Sequence, residues 1–208
     1  MRIQRLLDYL KYSELANLNL GEVDGAENEA NRLRVFNYID RALATVNVEF
    51  NINQSEQLMF LQATRAKYYI NDAKLIKLIA AYYSDGTELT INNENDQQSV
   101  FTPSLNIIEY RGNNLASSNV QDYLSLIFLK GFDNISSVND LVAISEGLLE
   151  CIANYVGYIA YSSVDMSGDS PAKYYYARYK EALVNAKNNG FNNDENTDFD
   201  RLTARGFV

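Results

Sequence analysis

The side chains that most often carry out enzyme chemistry are scarce in this sequence. Histidine is absent from all 208 residues, which removes the commonest general base, the commonest metal ligand and every Ser-His or Cys-His catalytic arrangement. The single cysteine, Cys151, lies in the apolar stretch 148–161, where we expect a buried and inert thiol. No nucleophile therefore has an evident catalytic partner.

The remaining motifs that carry chemistry are also missing. The sequence contains no GxxxxGK[ST] phosphate loop, no GxGxxG fingerprint, no cysteine or histidine metal cluster and no GxSxG elbow. Two carboxylates could still act as the acid and base of a glycosidase, but the acids are scattered and the sequence alone does not bring two together. We predict no catalytic residue, no cofactor and no metal site, and we expect that the protein is not an enzyme.

Aromatic residues are the more informative group. The chain has 16 tyrosines and 9 phenylalanines but no tryptophan, and four of the tyrosines cluster within residues 174–179. Consecutive aromatic residues on a helix must point to more than one face. One interpretation is a stripe facing the core, and the other is a protein-protein interface, where tyrosine is enriched. Both can hold together, and we take Tyr174 and Tyr176 as candidate partner contacts.

The charge balance limits the kinds of partner. There are 27 acidic and 18 basic residues, which gives a net charge of -9, so a conventional DNA-binding domain and adhesion to anionic membrane are not expected. No stretch reaches the 18 or more apolar residues of a membrane span. Charged residues at Arg2, Arg5, Asp8 and Lys11 interrupt any signal peptide, so we expect the protein to stay inside the cell that makes it.

Hydrophobic periodicity predicts helices at both ends of the chain. Apolar residues recur every three or four positions in 3–12, 28–46 and 139–162, and a further helix should begin at Pro171 and end at Gly190. Because the apolar stripes match, we expect one bundle with a shared core. Its predicted members are Leu33, Phe36, Ile39, Leu148, Ile152, Tyr155 and Ile159.

The middle of the chain predicts strands instead. Short apolar runs at 58–61, 75–83, 89–91, 107–110 and 123–129 are separated by polar turns, and the Asp-Gly pair at 85–86 favours a tight hairpin. The predicted fold class is therefore α+β, in a single domain. Its parts are a helical bundle from 1–50 and 138–190, a β-rich insertion at 51–137 and an extended tail at 191–208.

The order of these features resembles a known family of virion proteins. The stretches that carry the resemblance are YLKYSELANLNLG at 9–21, NYIDRAL at 37–43, YYSDGTEL at 82–89, SVFTP at 99–103 and YVGYIAYSS at 155–163, followed by the tyrosine-rich helix. This pattern is similar to the head-tail connector proteins, or adaptors, of short-tailed bacteriophages. These include the rings similar to tail tubular protein A and the ring proteins of crAss-like phages.

The resemblance implies a structural protein of the virion head-tail junction that is assembled in the host cytoplasm. In that family, identical subunits, twelve of them in the expected ring, lie between the portal protein and the tail, and DNA leaves through the channel without specific binding. The partners implied are the portal, other tail or ring proteins and further copies of this chain, with no membrane. The alternative is a soluble binding or enzymatic module with an unknown ligand.

The last residues are expected to contribute to that assembly. The segment 191–208 places isolated apolar and basic side chains among acids and asparagines, so it cannot build a core alone and should order only against a partner. The resemblance makes that partner the portal or a neighbouring adaptor. The predicted contacts in this segment are Phe199, Arg201, Leu202, Arg205 and Phe207.

Overall fold

A computed structural model describes residues 1–13, 15, 29–62, 65–70, 74–96, 98–104, 106–110, 123–163 and 171–191. These residues divide into two compact units. Helices from both ends of the sequence form the first, which comprises the described residues of Met1–Ile52 and of 132–191. Antiparallel strands form the second, Asn53–Gly131. The α+β prediction is therefore confirmed, while the prediction of a single domain stays a prediction.

Four α-helices lie among the described residues of the helical unit. Helix α1 spans Ile3–Tyr12, α2 spans Glu29–Phe50, α3 spans Leu149–Ser162 and α4 spans Pro171–Ala186. The predicted limits of the first helix are confirmed, and α2 continues four residues beyond the predicted end. Gly190 follows α4 with a φ of 83°, a left-handed conformation that glycine adopts without steric cost. The predicted end of the last helix is therefore confirmed as well.

One hydrophobic core joins these helices. Ile3, Phe36, Ile39, Leu148 and Ile152 are all buried in it, and Tyr155 packs against its edge. The prediction is wrong for Leu33, which is 53% exposed although it follows the same spacing. The buried face of α2 instead begins with Val35 and Phe36, so the apolar stripe does not extend back to Leu33 at this end. Ile159 is buried, but it is not part of the cluster that forms this core.

The predicted start of α3 at residue 139 is also wrong. The Asp140 carboxylate accepts hydrogen bonds from the backbone N–H groups of Ser136 (2.8 Å) and Ser137 (2.9 Å), which holds a turn in place of a helix. The carbonyls of Val138 and Asp140 then accept the first free N–H groups of α1. A 3-10 turn at Glu146–Leu148 leads into α3. The apolar residue Leu141, which suggested a helical stripe, is 74% exposed.

In the part of the β unit that the structure describes, seven strands form two antiparallel sheets. The first sheet has the order β1-β7-β3-β4, and the second has the order β2-β6-β5. All of the pairings between these strands are antiparallel. The strands are β1 Gln54–Phe60, β2 Lys67–Tyr69, β3 Leu75–Tyr82, β4 Glu88–Leu89, β5 Val100–Ser104, β6 Ile107–Tyr110 and β7 Tyr123–Lys130.

The predicted hairpin between β3 and β4 is confirmed. Tyr83 donates its N–H to the carbonyl of Thr87, and the Asp85 carboxylate accepts the N–H of Thr87 at 2.9 Å. Gly86 has a φ of 88°, which is the reason a glycine suits this position. Each of the five apolar runs predicted as a strand contains a strand. The run 89–91 contributes to β4 and to the isolated bridge of Ile91. Strands β2 and β5 were not predicted.

Strand β7 is the centre of the first sheet. It lies between β1 and β3 and is buried from Leu124 to Leu129. Its residues Leu124, Leu126 and Phe128 pack in a second hydrophobic core together with Ile108 and Val100 of the other sheet.

No described helix is long and apolar enough to cross a membrane.

Candidate partner interface

Within the tyrosine-rich segment of α4, Tyr175 packs against α3. A Cβ atom built on Gly157 would come within 2.8 Å of Cδ1 of Tyr175, so the absence of a side chain lets the Tyr175 ring lie directly on the backbone of α3. The same ring stacks on Tyr161, with centroids 5.1 Å apart and planes 15° apart. Glycine at this one position therefore sets the distance between the two helices here.

Further ring pairs connect the helices in an antiparallel sense. Tyr158 contacts Tyr176 with centroids 5.0 Å apart, and Tyr155 contacts Tyr179 at 4.8 Å. The three tyrosines of α3 recur every third residue and therefore follow one side of the helix. Each tilted aromatic pair at such a distance stabilises a fold by roughly 0.5–1.5 kcal/mol, in addition to the free energy gained by burying its apolar area. The network gives the outer rings a rigid support.

The outer part of this network is exposed. Tyr174 is 61% exposed and Tyr176 is 41% exposed, and each carries a cation over its ring. The guanidinium of Arg178 lies 5.7 Å from the Tyr174 centroid, and the ammonium of Lys180 lies 5.5 Å from that of Tyr176. We call this surface, made of Tyr174, Tyr176, Arg178 and Lys180, the tyrosine face.

The tyrosine face is basic on an acidic protein. Helix α4 contains three cationic residues, Lys173, Arg178 and Lys180, against the single acid Glu181, while the whole chain has a net charge of -9. Arg178 also pairs with Glu150 of α3 at 3.9 Å, a solvent-exposed contact of small energetic value. A surface of this kind suits a partner that offers an acidic and partly apolar face.

The inner part of the network is buried and chemically inert. Tyr179 is 2% exposed and its hydroxyl has no hydrogen-bond partner among the described residues. Burial, and next the nearby charge of Glu49, raises the pKa of Tyr179 well above its usual value. Burial likewise raises the pKa of the Cys151 thiol to about 11. The expectation that Cys151 is buried is therefore confirmed, and a thiol with this pKa is a poor nucleophile at neutral pH.

The structure separates the two interpretations of the tyrosine cluster. Tyr179 belongs to the core, Tyr175 is half-buried, and Tyr174 and Tyr176 lie at the surface, so both interpretations hold for different residues.

The predicted contacts Phe199, Arg201, Leu202, Arg205 and Phe207 lie outside the described residues. Phe191, the first residue of the predicted tail, packs against the helical core, with its ring over Gly147.

Sequence reasoning missed an exposed apolar surface in the β unit. Leu58 and Phe60 alternate along β1 and point away from the core, and the Phe60 ring contacts Tyr123 edge-on with centroids 6.2 Å apart. Tyr69 of β2 is 61% exposed. The sequence shows that Leu58 and Phe60 lie on the same face of a strand. A strand pattern does not show which of the two faces of the sheet is covered.

Metal ligands are not grouped in the part of the chain that the structure describes. No set of three or more His, Cys, Asp or Glu side chains lies close enough together there to hold an ion.

Comparisons with known proteins identify no family. No family model matches the sequence, and no curated protein matches it. Among solved structures, the chain is similar to one from the neck of an empty GTA particle computed with C6 symmetry. The identity is 15%, the match covers 88% of this chain and 88% of that chain, and the TM-score is 0.31.

Proposed function

We propose that this chain is a structural subunit of a phage-type virion neck, an adaptor that joins the portal to the tail. In this proposal copies of the chain form a closed ring, with twelve as the number that the resemblance implies, and DNA leaves the particle through the channel. The observation that carries the proposal is the tyrosine face. It presents rigid aromatic area and cations on the outside of a well-packed helical unit, and this is the chemistry of a protein-protein contact.

The tyrosine face is suited to contact because its rings are held in place before binding. Tyr176 is supported from below by Tyr158 and Tyr179, and Tyr174 contacts Tyr175 with centroids 5.6 Å apart. Side chains that are already ordered lose little conformational freedom on association. Tyrosine and arginine are also the residue types that most often provide the largest share of binding energy.

A ring of identical subunits needs two different surfaces that fit each other. The tyrosine face is one candidate, with its cations and ring edges. The apolar row of Leu58 and Phe60 on β1 is a second surface with a different composition. In the proposed ring these surfaces meet the neighbouring subunit, the portal or another ring protein.

The acidic composition fits a conduit for DNA. A basic lining would bind phosphates and release counterions, which would hold the polyanion in a salt-dependent way. With a net charge of -9, the subunit as a whole does not favour such binding. The cations of α4 are then available for protein contacts, and the tail residues Phe199, Arg201, Leu202, Arg205 and Phe207 add a second contact with the portal or a neighbour.

The proposal is tested by measuring binding to portal particles of the same virus. We expect the double variant Tyr174→Ala and Tyr176→Ala to bind at least about tenfold more weakly, which corresponds to roughly 1.4 kcal/mol. Tyr69→Ala is the matched control, because Tyr69 has the same exposed fraction as Tyr174 but lies in β2. Equal binding by the double variant, with an unchanged melting temperature, would exclude the tyrosine face as the portal contact.

The role of the tail is tested by a deletion that begins at residue 192. Phe191 is kept because its ring packs over Gly147 and the helical core. We expect the shortened chain to keep the melting temperature of the free subunit and to lose affinity for portal particles. Infectious, tailed particles assembled normally from the shortened chain would contradict a contact role for Phe199, Leu202 and Phe207.

A further inference from the structure

One segment of the β unit concentrates negative charge. Between Lys77 and Arg111 the sequence has five acidic residues and no basic one, whereas the chain as a whole has 18 basic residues for its 27 acidic ones. Four of these five acids lie within residues 85–96, which follow β3 and include β4. We call this stretch the acidic segment, and its acids are Asp85, Glu88, Glu94 and Asp96.

Hydrogen bonds hold the acidic segment in a fixed shape. The carboxylate of Asp85 accepts the N–H of Thr87 at 2.9 Å. The carboxylate of Asp96 accepts the hydroxyl of Thr90 at 2.6 Å and the N–H of Gln98 at 2.9 Å. The segment is therefore ordered before it meets a partner, so it loses little conformational freedom on association.

The other two carboxylates of the acidic segment are open to a partner. Glu88 and Glu94 are exposed, and neither has a hydrogen bond or an ion pair with another residue in the described part of the chain. An ionised carboxylate accepts hydrogen bonds from ammonium, guanidinium and phenol groups, and such bonds to charged donors are the stronger ones. A partner for this segment should therefore offer cations and hydroxyl groups.

The tyrosine face offers these donor groups. It presents the ammonium of Lys180, the guanidinium of Arg178 and the exposed phenol rings of Tyr174 and Tyr176. The ion pair of Arg178 with Glu150 is exposed, with 3.9 Å between its charged atoms, so its exchange for another carboxylate costs little free energy. The tyrosine face and the acidic segment therefore match in charge and in hydrogen-bonding groups.

Other parts of the chain match the tyrosine face less well. The side chains of Leu58 and Phe60 on β1 carry no charge. The segment 192–208 contains four acids, but Arg201 and Arg205 offset two of them. The acidic segment has no basic residue that would offset its carboxylates, so it is the better complement to the cations of α4.

We propose that the tyrosine face of one copy of this chain binds the acidic segment of a second copy. The cations of the face meet Glu88 and Glu94, and its rings exclude water from around these pairs. The two surfaces consist of different residues, so the contact is heterologous and repeats from copy to copy, as a ring requires. The inference names the partner of the tyrosine face, and it rests on the proposed function for the ring but not for the contact itself.

The test reverses the charge of each surface in turn in the full-length chain. The face variant carries Arg178→Glu and Lys180→Glu, and the segment variant carries Glu88→Lys and Glu94→Lys. Sedimentation velocity at increasing protein concentration measures self-association. We expect the wild type to self-associate, and to do so less at high salt. Each variant alone should associate at least about tenfold more weakly, because like charges then face each other.

A mixture of the two variants is the decisive measurement. In the mixture, the unchanged face of the segment variant meets the unchanged segment of the face variant, and the reversed face meets the reversed segment. Every contact then joins opposite charges again, so we expect self-association to return towards the wild-type level. No self-association of the wild type, or no recovery in the mixture, would overturn the proposal.

A control variant separates the contact from a general effect of charge. Lys11→Glu with Lys67→Glu changes the net charge by the same amount as the face variant, on exposed residues of α1 and β2. This control should associate like the wild type, and a loss equal to that of the face variant would overturn the proposal. If Arg178→Glu lowers the melting temperature, Lys180→Glu alone replaces the face variant, because Lys180 is exposed.

Two further measurements identify a different occupant or a different role. A full-length variant with Asp194→Asn, Glu195→Gln, Asp198→Asn and Asp200→Asn should self-associate like the wild type, and a loss would overturn the proposal in favour of the tail. Binding to portal particles is measured separately. A chain that binds portal particles but does not self-associate would overturn this contact and leave the proposed function intact. Self-association without portal binding would support the contact and contradict the proposed function.

Discussion

The helical unit and the β unit differ in which chemical groups they leave open to a partner. In the helices of the first unit, backbone groups are satisfied internally, and what the surface offers is side chains such as Tyr174 and Tyr176. In the β unit, the 75–79 part of β3 also leaves backbone groups without a described strand partner. The described surfaces of the two units therefore present different chemical groups.

The two units also differ in how their cores are built. The helical core is formed by stripes from four helices and by the segment 132–148 that packs under them. The β core lies between two small sheets that meet at Leu124, Leu126, Val100 and Ile108.

The largest expected effect comes from opening a cavity in either core. Ile152→Ala in α3 and Leu126→Ala in β7 each remove a fully buried side chain, and each should lower the free energy of unfolding by about 2–5 kcal/mol. Leu33→Ala is the control, because Leu33 is exposed, and it should change the stability by less than about 0.5 kcal/mol. Chemical denaturation of the three variants measures the difference. A loss of stability from Leu33→Ala as large as that from Ile152→Ala would contradict the observed face of α2.

A smaller loss is expected where the tyrosine network touches the backbone. In Gly157→Ala the new Cβ would lie 2.8 Å from the Tyr175 ring, so the ring or the helices must shift, at a cost of about 1–3 kcal/mol. The double variant with Tyr175→Ala should recover part of that loss, because the clash is removed. Thermal unfolding of both variants tests this. If the double variant loses the sum of both single effects, the ring and the glycine do not interact.

Much of the fold could be predicted because helices and hairpins are local. The period of three to four residues placed α1 and α2, and the Asp-Gly pair at 85–86 placed the β3–β4 turn. The start of α3 failed because Leu141 fits the helical period, while the competing bonds that Asp140 accepts from Ser136 and Ser137 have no periodic signal. Strand β5 was missed because its pairing partner is set by the fold and not by its own residues.

The candidate site could be predicted only in part. Consecutive tyrosines indicated that some rings must be exposed, and Tyr174 and Tyr176 are. The sequence could not show that Gly157 admits Tyr175, or that Arg178 and Lys180 lie over the exposed rings. Among the described residues, the 75–79 part of β3 has no strand partner on one side because β4 is only two residues long. None of these has a local sequence pattern.

The buried hydroxyl of Tyr179 predicts a change at alkaline pH. Because burial raises the pKa of this group in the folded state, the unfolded chain loses the proton first. The stability is therefore fully present below about pH 10, the usual tyrosine pKa, and falls as the pH rises above it. We expect Tyr179→Phe to weaken that fall and to cost less than about 1 kcal/mol at pH 7, since the hydroxyl has no partner in the described part of the chain. Denaturation curves at pH 7 and pH 10.5 measure both effects. An unchanged alkaline fall would show that Tyr179 is not responsible.

The smallest expected effect compares one loop carboxylate from each unit. Backbone N–H groups lower the pKa of Asp85 in the β3–β4 turn and of Asp140 before α3, below their usual value of 3.8. Each carboxylate therefore contributes stability that is present above about pH 4 and is lost as the pH falls through the lowered pKa. We expect Asp85→Asn and Asp140→Asn to lower the melting temperature slightly at pH 7 and to match the wild type near pH 2. Asp140 should have the larger effect, because its turn also supplies the carbonyls that accept the first N–H groups of α1, whereas Asp85 closes a single hairpin. Melting temperatures at the two pH values measure both contributions, and a larger effect of Asp85→Asn would reverse this ranking of the two turns.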